Sequence, residues 1–388
     1  MFGIRRSTIS DEKSTATPVA VVAARPRRNW QQTRYALKVA GMTFVVGFIS
    51  SLILMVDEVM VRWFNPGEND VSIAALCVLI TIFVVPVITV TGYRLYSIGG
   101  TPLSDGLRRR NYWVGRTTIT VVLTVGLTAL CVIGFYAVEL LFTGVELHME
   151  WGIMLSTMYS TVLGFGTAYY VSSISKHHLI RLIGAVLILG LVISFMIVQD
   201  DAWWTNSISF LGHAEGSSIF FNLSIIAVGL IALTLAQDLL DDLSILSQAR
   251  LFPRLSYSIF KYGLIAVCAG IVGVGLFPTT VSTWSDTMHN ISAHGMSVVL
   301  IIAMFTIGVV APGVYPLSFI AISFGFGLVC AFAIYLHFGP AVLNFVALEL
   351  VMFALFGAWI FLFERYTTGF INKQDPELIR TRLAENPY

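Results

Sequence analysis

The chain has 388 residues, of which 56% are hydrophobic and 12% charged, and its net charge is +1. A soluble globular protein carries roughly 25% charged residues, so half that share cannot build a water-facing shell around a core of this size. A soluble enzyme and a disordered chain are excluded, as is a nucleic-acid binder, since the near-zero charge leaves no broad basic face.

What remains is a polytopic α-helical membrane protein, in keeping with a mean hydropathy of +0.82. Residues 1–35 are rich in Ser, Thr, Pro and Arg and contain no apolar stretch of the kind a secretory signal needs. They read as a mobile cytoplasmic tail. Apolar segments then recur at 36–57, 71–93, 117–143, 152–172, 179–199, 217–237, 257–278, 289–310, 315–337 and 341–363. Each is long enough to cross a hydrocarbon core of about 30 Å as a helix. The expected fold class is all-α, a transmembrane helical bundle of about ten spans. Its parts are a four-helix module over 36–172, a six-helix module over 179–364 and a C-terminal tail over 365–388.

Ten spans place both termini on one side. Twenty-two of the 23 Lys and Arg residues then fall on that side, and only Arg62 falls on the other. By the positive-inside rule both termini are cytoplasmic, in a multi-pass protein of the plasma membrane. The outer side is acidic and rich in histidine: His148, His213, His289, His294 and His337 map to it, while His177 and His178 lie inside. Trp203, Trp204 and Trp284 fall at the outer rim, where an aromatic belt belongs. Cys77, Cys131, Cys268 and Cys330 lie in apolar stretches without metal-ligand spacing and read as packed small hydrophobes.

Two outer loops concentrate the polar chemistry. The first runs from Asp200 to Asn222 and holds Asp200, Asp201, Ser207, Ser209, His213 and Glu215. The second follows Gly275-Leu276-Phe277-Pro278, passes through Asp286 and holds His289, Asn290, Ser292 and His294. Ser209 and His213 are one turn apart if their segment is an α-helix. His289 and His294, five apart, do not share a face. One reading is a divalent metal such as zinc, with His213 and His289 or His294 as ligands and an open position for water. Asp200 or Glu215 would then hold or deprotonate that water. The other reading is structural: Ser and Asp cap helix starts, and His bonds a loop carbonyl.

Glu349 lies in the apolar run ALELVMFALF, about 12 Å below the outer end of a span starting at 341. An ionisable residue at that depth is a functional candidate by default. It is either the floor of an outer cavity that Ser209, Asn222 and Asp286 help to line, or a packing group bonded to Asn344 or a neighbouring serine. Asp57 and Glu58 end the first span on the outer side and read as an ordinary acidic loop. On the inner side, Gln237–Tyr257 continues as a helix with an apolar leucine stripe and is expected to lie at the membrane interface. Arg108-Arg109-Arg110 reads as an anchor for anionic lipid. No Walker motif or phosphate-cradling glycine loop is present, so no nucleotide partner is expected.

At SISFLG (Ser207–Gly212), at Phe221-Asn222 with Gly229, and at GLFP (Gly275–Pro278) followed by His289 and Ala293, the chain resembles a bacterial membrane family. It is the family called domain of unknown function nine-nine-eight, related in pattern to the Frag/DRAM/Sfk membrane proteins. The resemblance covers about residues 180–364 and implies lipid-related membrane chemistry without an assigned activity. A broader superfamily proposed as kin contains zinc-dependent ceramidases with Ser-x3-His and His-x3-His motifs. Ser209-x3-His213 matches the first, whereas His289-x4-His294 departs from the second.

The functional expectation is a protein that binds or processes a lipid or lipid-linked envelope molecule at the outer leaflet, by metal-assisted hydrolysis if it is an enzyme. The alternative is a non-catalytic subunit packed against another membrane protein, or a secondary transporter. Membrane lipid is the partner common to both.

Overall fold

With no water in hydrocarbon to accept a hydrogen bond, a crossing segment must satisfy its backbone internally, and a helix does so. The computed structural model describes residues 18–55, 60–62, 72–96, 105–142, 146–174, 176–200, 202–279, 282–375, 378–379 and 381–382. Along them run α1 (Pro18–Met55), α2 (Ile73–Tyr96), α3 (Asp105–Leu141), α4 (Met149–Ser172), α5 (Lys176–Ile197), α6 (Ser218–Gln248), α7 (Arg254–Leu276), α8 (Thr283–Val310), α9 (Leu317–Phe338) and α10 (Phe345–Asn372). Two three-residue strands, β1 (Met60–Arg62) and β2 (Glu146–His148), pair antiparallel with Val61 opposite Leu147. The chain is an all-α polytopic helical bundle. Among the described residues, nine helices are long and apolar enough to cross a membrane.

The helix boundaries depart from the apolar ones in three informative places. α1 begins at Pro18, so helical backbone reaches well back into the polar stretch read as a tail. α3 likewise begins at Asp105, because apolarity marks the part of a helix in lipid rather than the whole helix. α10 begins at Phe345 rather than 341, with the Asn344 side chain accepting from the Ala347 amide at 2.8 Å as its N-cap. Asp57, Glu58 and Asp201 lie outside the described residues.

By contacts the chain divides into two units: residues 1–96 with 131–173, and residues 97–130 with 174–388. α3 therefore contributes to both. In the first unit α4 packs against both α1 and α2. α4 is the helix too polar to pass as a span alone, and its buried face explains why. Gly152, Ser156, Thr157, Ser160, Gly164, Thr167 and Ser172 are all buried. They meet small residues of α1 in antiparallel register: Ser51 hydrogen-bonds Ser156 at 2.6 Å, Gly47 faces Ser160, and Thr43 lies over Gly164. The Ser160 hydroxyl also donates to the Thr43 carbonyl at 2.9 Å. Lipid gives helices no hydrophobic reason to associate, so small residues that let backbones approach, with hydroxyl bonds across the seam, carry the packing.

In the second unit consecutive helices pack as neighbours from α5 to α10. One core cluster gathers Leu243, Leu246, Phe252, Phe260, Met304, Phe319, Trp359 and Phe363. The leucines expected at the membrane interface belong here. Leu239, Leu243 and Leu246 are buried by protein, because α6 continues unbroken to Gln248 and its stripe turns inward. α6 then ends in a Schellman motif: the Leu251 amide bonds the Leu246 carbonyl at 2.8 Å and the Arg250 amide bonds that of Ser247 at 3.2 Å. The motif needs left-handed backbone, which Arg250 adopts at φ 57° where glycine is usual. Close by, burial pushes the phenol of Tyr315 above its ordinary range, and its hydroxyl hydrogen-bonds Thr367 at 2.8 Å.

Two outcomes follow for stability in detergent. Gly164→Val drives a side chain into Thr43 and should destabilise by on the order of 1–3 kcal/mol, whereas Gly166→Val, with open space at its Cβ position, should leave the melting midpoint unchanged. Arg250→Gly removes the strain of left-handed backbone, about 1 kcal/mol, and should raise that midpoint.

Candidate functional site

The polar loop between α5 and α6 is an ordered cap. Two short 3-10 turns, Trp203–Thr205 and Ile208–Gly212, lay Ile208 and Leu211 onto Phe221, Ile225, Val274 and Val346. Trp203 stacks on Phe195 with ring centroids 4.6 Å apart. Local side chains hold the turns. Asp200 accepts from the Ala202 amide at 2.8 Å, and Ser207 accepts from the Phe210 amide at 3.0 Å. Ser207 is the N-cap of the second turn, and Asp200 closes an Asx turn ahead of the first.

Glu349 pins this cap to α10. Its carboxylate accepts from the Ile208 amide at 2.5 Å and from the Ser209 hydroxyl at 3.4 Å. Val346 and Phe353, on the same side of α10, enter the apolar cluster beneath the loop. Glu349 is four residues past the start of α10, about 6 Å along the axis, so it is shallower than the 12 Å expected from a span starting at 341. The carboxyl group lies near two helix N-termini, that of α10 and that of the second 3-10 turn, where backbone amides point toward it. The Ser209 hydroxyl is the neighbouring serine that a packing Glu349 calls for. Loop and helix meet across 140 residues of chain.

The other sequence-selected residues do not converge on one centre. Ser209 and His213 are four apart in a 3-10 turn, where four residues advance more than a full revolution. Ser209 accordingly reaches Glu349 while the His213 ring meets Phe210 edge-on at 4.5 Å. His289 is 4% exposed, and its Nδ1 donates to the Phe277 carbonyl at 2.8 Å at the end of α7. His294 and Glu215 are exposed. Asp286 lies in the first turn of α8, where the helix dipole favours a carboxylate.

Among the described residues no group of three or more His, Cys, Asp or Glu is placed to hold a metal ion. His213, His289 and His294 are thus not gathered into a ligand set with Asp200, Glu215 or Glu349. The donor set does not fit zinc, and no hydrolytic step is derived through one.

Two polar atoms on this face lack a hydrogen-bond partner among the described residues, His213 Nδ1 and Asn222 Oδ1, both buried. Asn222 Nδ2 donates to the Gly212 carbonyl at 2.7 Å. Its Oδ1 lies where a Cβ at 212 would come within 2.7 Å, so the close approach needs glycine.

A cavity lies at the opposite end of the same unit, where α6 ends and α7 begins. It encloses about 630 Å³ between the two helices, within the range of roughly 300–1,000 Å³ that small-molecule sites occupy. Leu233, Leu240 and Ile265 give it apolar wall, and Gln237, Asp241, Arg254, Tyr257, Ser258 and Lys261 give it polar wall. Arg254, Ser258, Lys261 and Ile265 recur at helical spacing on one face of α7. A smaller apolar cavity of about 170 Å³ lies between α7 and α8, walled by Phe260, Val267, Leu300 and Trp359 among others.

In the sequence Arg254 and Lys261 count only as inside charges, and Gln237–Tyr257 is expected as a helix on the membrane surface rather than as one wall of a cavity. The missed signal was a polar stripe of helical period on both flanks. Glu364, the last residue of the expected six-helix module, was not singled out: it is 1% exposed on α10, accepts from the Thr368 hydroxyl at 2.9 Å, and leaves Oε2 without a partner among the described residues.

Compared with protein-family models, curated proteins and solved structures, the chain has no significant match. Glu349→Leu should free the loop: the Ile208 amide, protected by the carboxylate, should exchange with deuterium faster, and stability should fall by about 1–3 kcal/mol. Glu349→Gln, which keeps an acceptor, should lose less by both measurements.

Proposed function

We propose that this chain is a plasma-membrane protein that binds a membrane lipid in the cavity between α6 and α7, with both termini cytoplasmic. The observation that carries the reading is the lining of that cavity. Apolar side chains suit an acyl stem, and two cations suit the phosphate of a head group. Basic pockets between transmembrane helices on the cytoplasmic side are a recurrent way of holding lipid heads. The distribution of Lys and Arg supports placing this end of the unit inside, so the proposed site faces the inner leaflet rather than the outer one.

Binding, not hydrolysis, is the proposed role. The polar residues of the other face are engaged with backbone groups: Glu349 with Ile208, His289 with Phe277, Asp200 with Ala202. The resemblance to the family called domain of unknown function nine-nine-eight belongs to the same proposal, and its SISFLG segment is the second 3-10 turn with Ser207.

The test is lipid retention by the full chain purified in mild detergent, read by native mass spectrometry. The expected result is about one phospholipid per chain, reduced about tenfold in the Arg254→Gln, Lys261→Gln double variant with an unchanged melting midpoint. A folded, lipid-free chain overturns the proposal, and so does retention indifferent to the double variant.

A further inference from the structure

The smaller cavity, between α7 and α8, has a different chemistry from the one between α6 and α7. It lies on the opposite face of α7, where Ile259, Gly263 and Val267 line it. Two lining side chains carry polar atoms, and both are already bonded. The Thr306 hydroxyl donates to the Ile302 carbonyl at 2.7 Å, and the Trp359 indole donates to the Ser323 hydroxyl at 3.0 Å. Gly263 opens the space: a Cβ there would come no nearer than 3.9 Å to Val299, and no other atom lies within reach. Ile259 and Ile302 at the mouth are 43% and 55% exposed, while Trp359 and Phe363 at the back are 4% and 3% exposed. α7 and α8 are both long and apolar enough to cross a membrane. The lining residues of α7 lie about 8–20 Å along its axis from its first residue, inside a hydrocarbon core of about 30 Å. The mouth therefore opens onto lipid chains.

An apolar space of about 150 Å³ stays dry and takes up an apolar molecule the size of benzene, and this one encloses about 170 Å³. A neighbouring helix, about 10 Å across, cannot enter it. A quinone ring would bring carbonyl oxygens into a wall that offers them no donor. A linear hydrocarbon chain brings no polar atom, is as apolar as the side chains around it, and is what the mouth faces. We infer that the cavity between α7 and α8 binds a stretch of one acyl chain of a membrane phospholipid, entering between Ile259 and Ile302 and ending against Trp359 and Phe363. The site goes beyond the α6–α7 reading and shares no lining residue with it.

The experiment places the full chain in nanodiscs of phosphatidylcholine that carries a photoreactive diazirine in one acyl chain, irradiates it, and maps the label by peptide mass spectrometry. Label is expected on buried Trp359 and Phe363, which only a chain inside the cavity reaches, as well as on Ile322 of α9, which is 40% exposed. Gly263→Leu puts a side chain into the space and should lower the label on Trp359 and Phe363 about tenfold, while Ile322 keeps its label. If that variant does not fold, Gly263→Ala serves instead: its methyl is in ordinary contact with Val299 and should lower the label about twofold. The Arg254→Gln, Lys261→Gln double variant should leave all three positions labelled as before, and loss of label from Trp359 and Phe363 in it would overturn a separate site. Label on Ile322 without label on Trp359 and Phe363 overturns the inference, whether a side chain of a second copy fills the space or nothing does. Label on Trp359 and Phe363 that is indifferent to Gly263→Leu overturns it too.

Discussion

A peptide group released at a helix end inside a bilayer has no water to turn to, and a set of long-range and loop side chains in this protein answers that problem. Glu349 accepts the Ile208 amide, His289 takes the Phe277 carbonyl, and Ser285 takes that of Pro278 at 2.6 Å. His337 takes the Leu343 carbonyl at 2.9 Å, Ser256 that of Val310, and Gln32 that of Ser172 at 2.7 Å. Each bond joins a side chain to a backbone group at or near the end of a helix. The same residue types in the same loops of a soluble protein would invite a catalytic reading. In lipid their first use is to close the ends of helices.

That constraint decides what could be read from the chain alone. Span positions were legible because apolarity and helical crossing are one requirement in lipid: 71–93, 179–199 and 315–337 each lie within a few residues of α2, α5 and α9. Helix ends in polar sequence were not for α1 and α3, which outrun their apolar stretches, whereas the continuation of α6 past 237 was expected. The Ser209–His213 pairing failed because a 3-10 turn and an α-helix are indistinguishable over five residues of SISFLGH. Its contact with Glu349 was legible only as an unspecified serine on a neighbour, since nothing local links residues 140 apart.

The α6–α7 cavity was hidden by the opposite error. Reading Gln237–Tyr257 as one helix lying on the membrane surface left its polar side facing water, with no second helix opposite. Once α6 is continuous to Gln248 and α7 starts at Arg254, their polar residues become two facing stripes one side chain deep. The leucines on the other side of α6 fill the core, so one helix end serves packing with Leu243 and Leu246 and a pocket with Gln237 and Asp241. The turn between the helices holds this geometry through the left-handed residue Arg250.

α4 carries a consequence for how the chain is made. Its buried Gly, Ser and Thr residues leave it without a stretch as apolar as those of the other nine helices, and α1 and α2 pack against it. Both partners, α1 and α2, are synthesised before it. The helix with the small polar face therefore emerges after the two helices that pack against it.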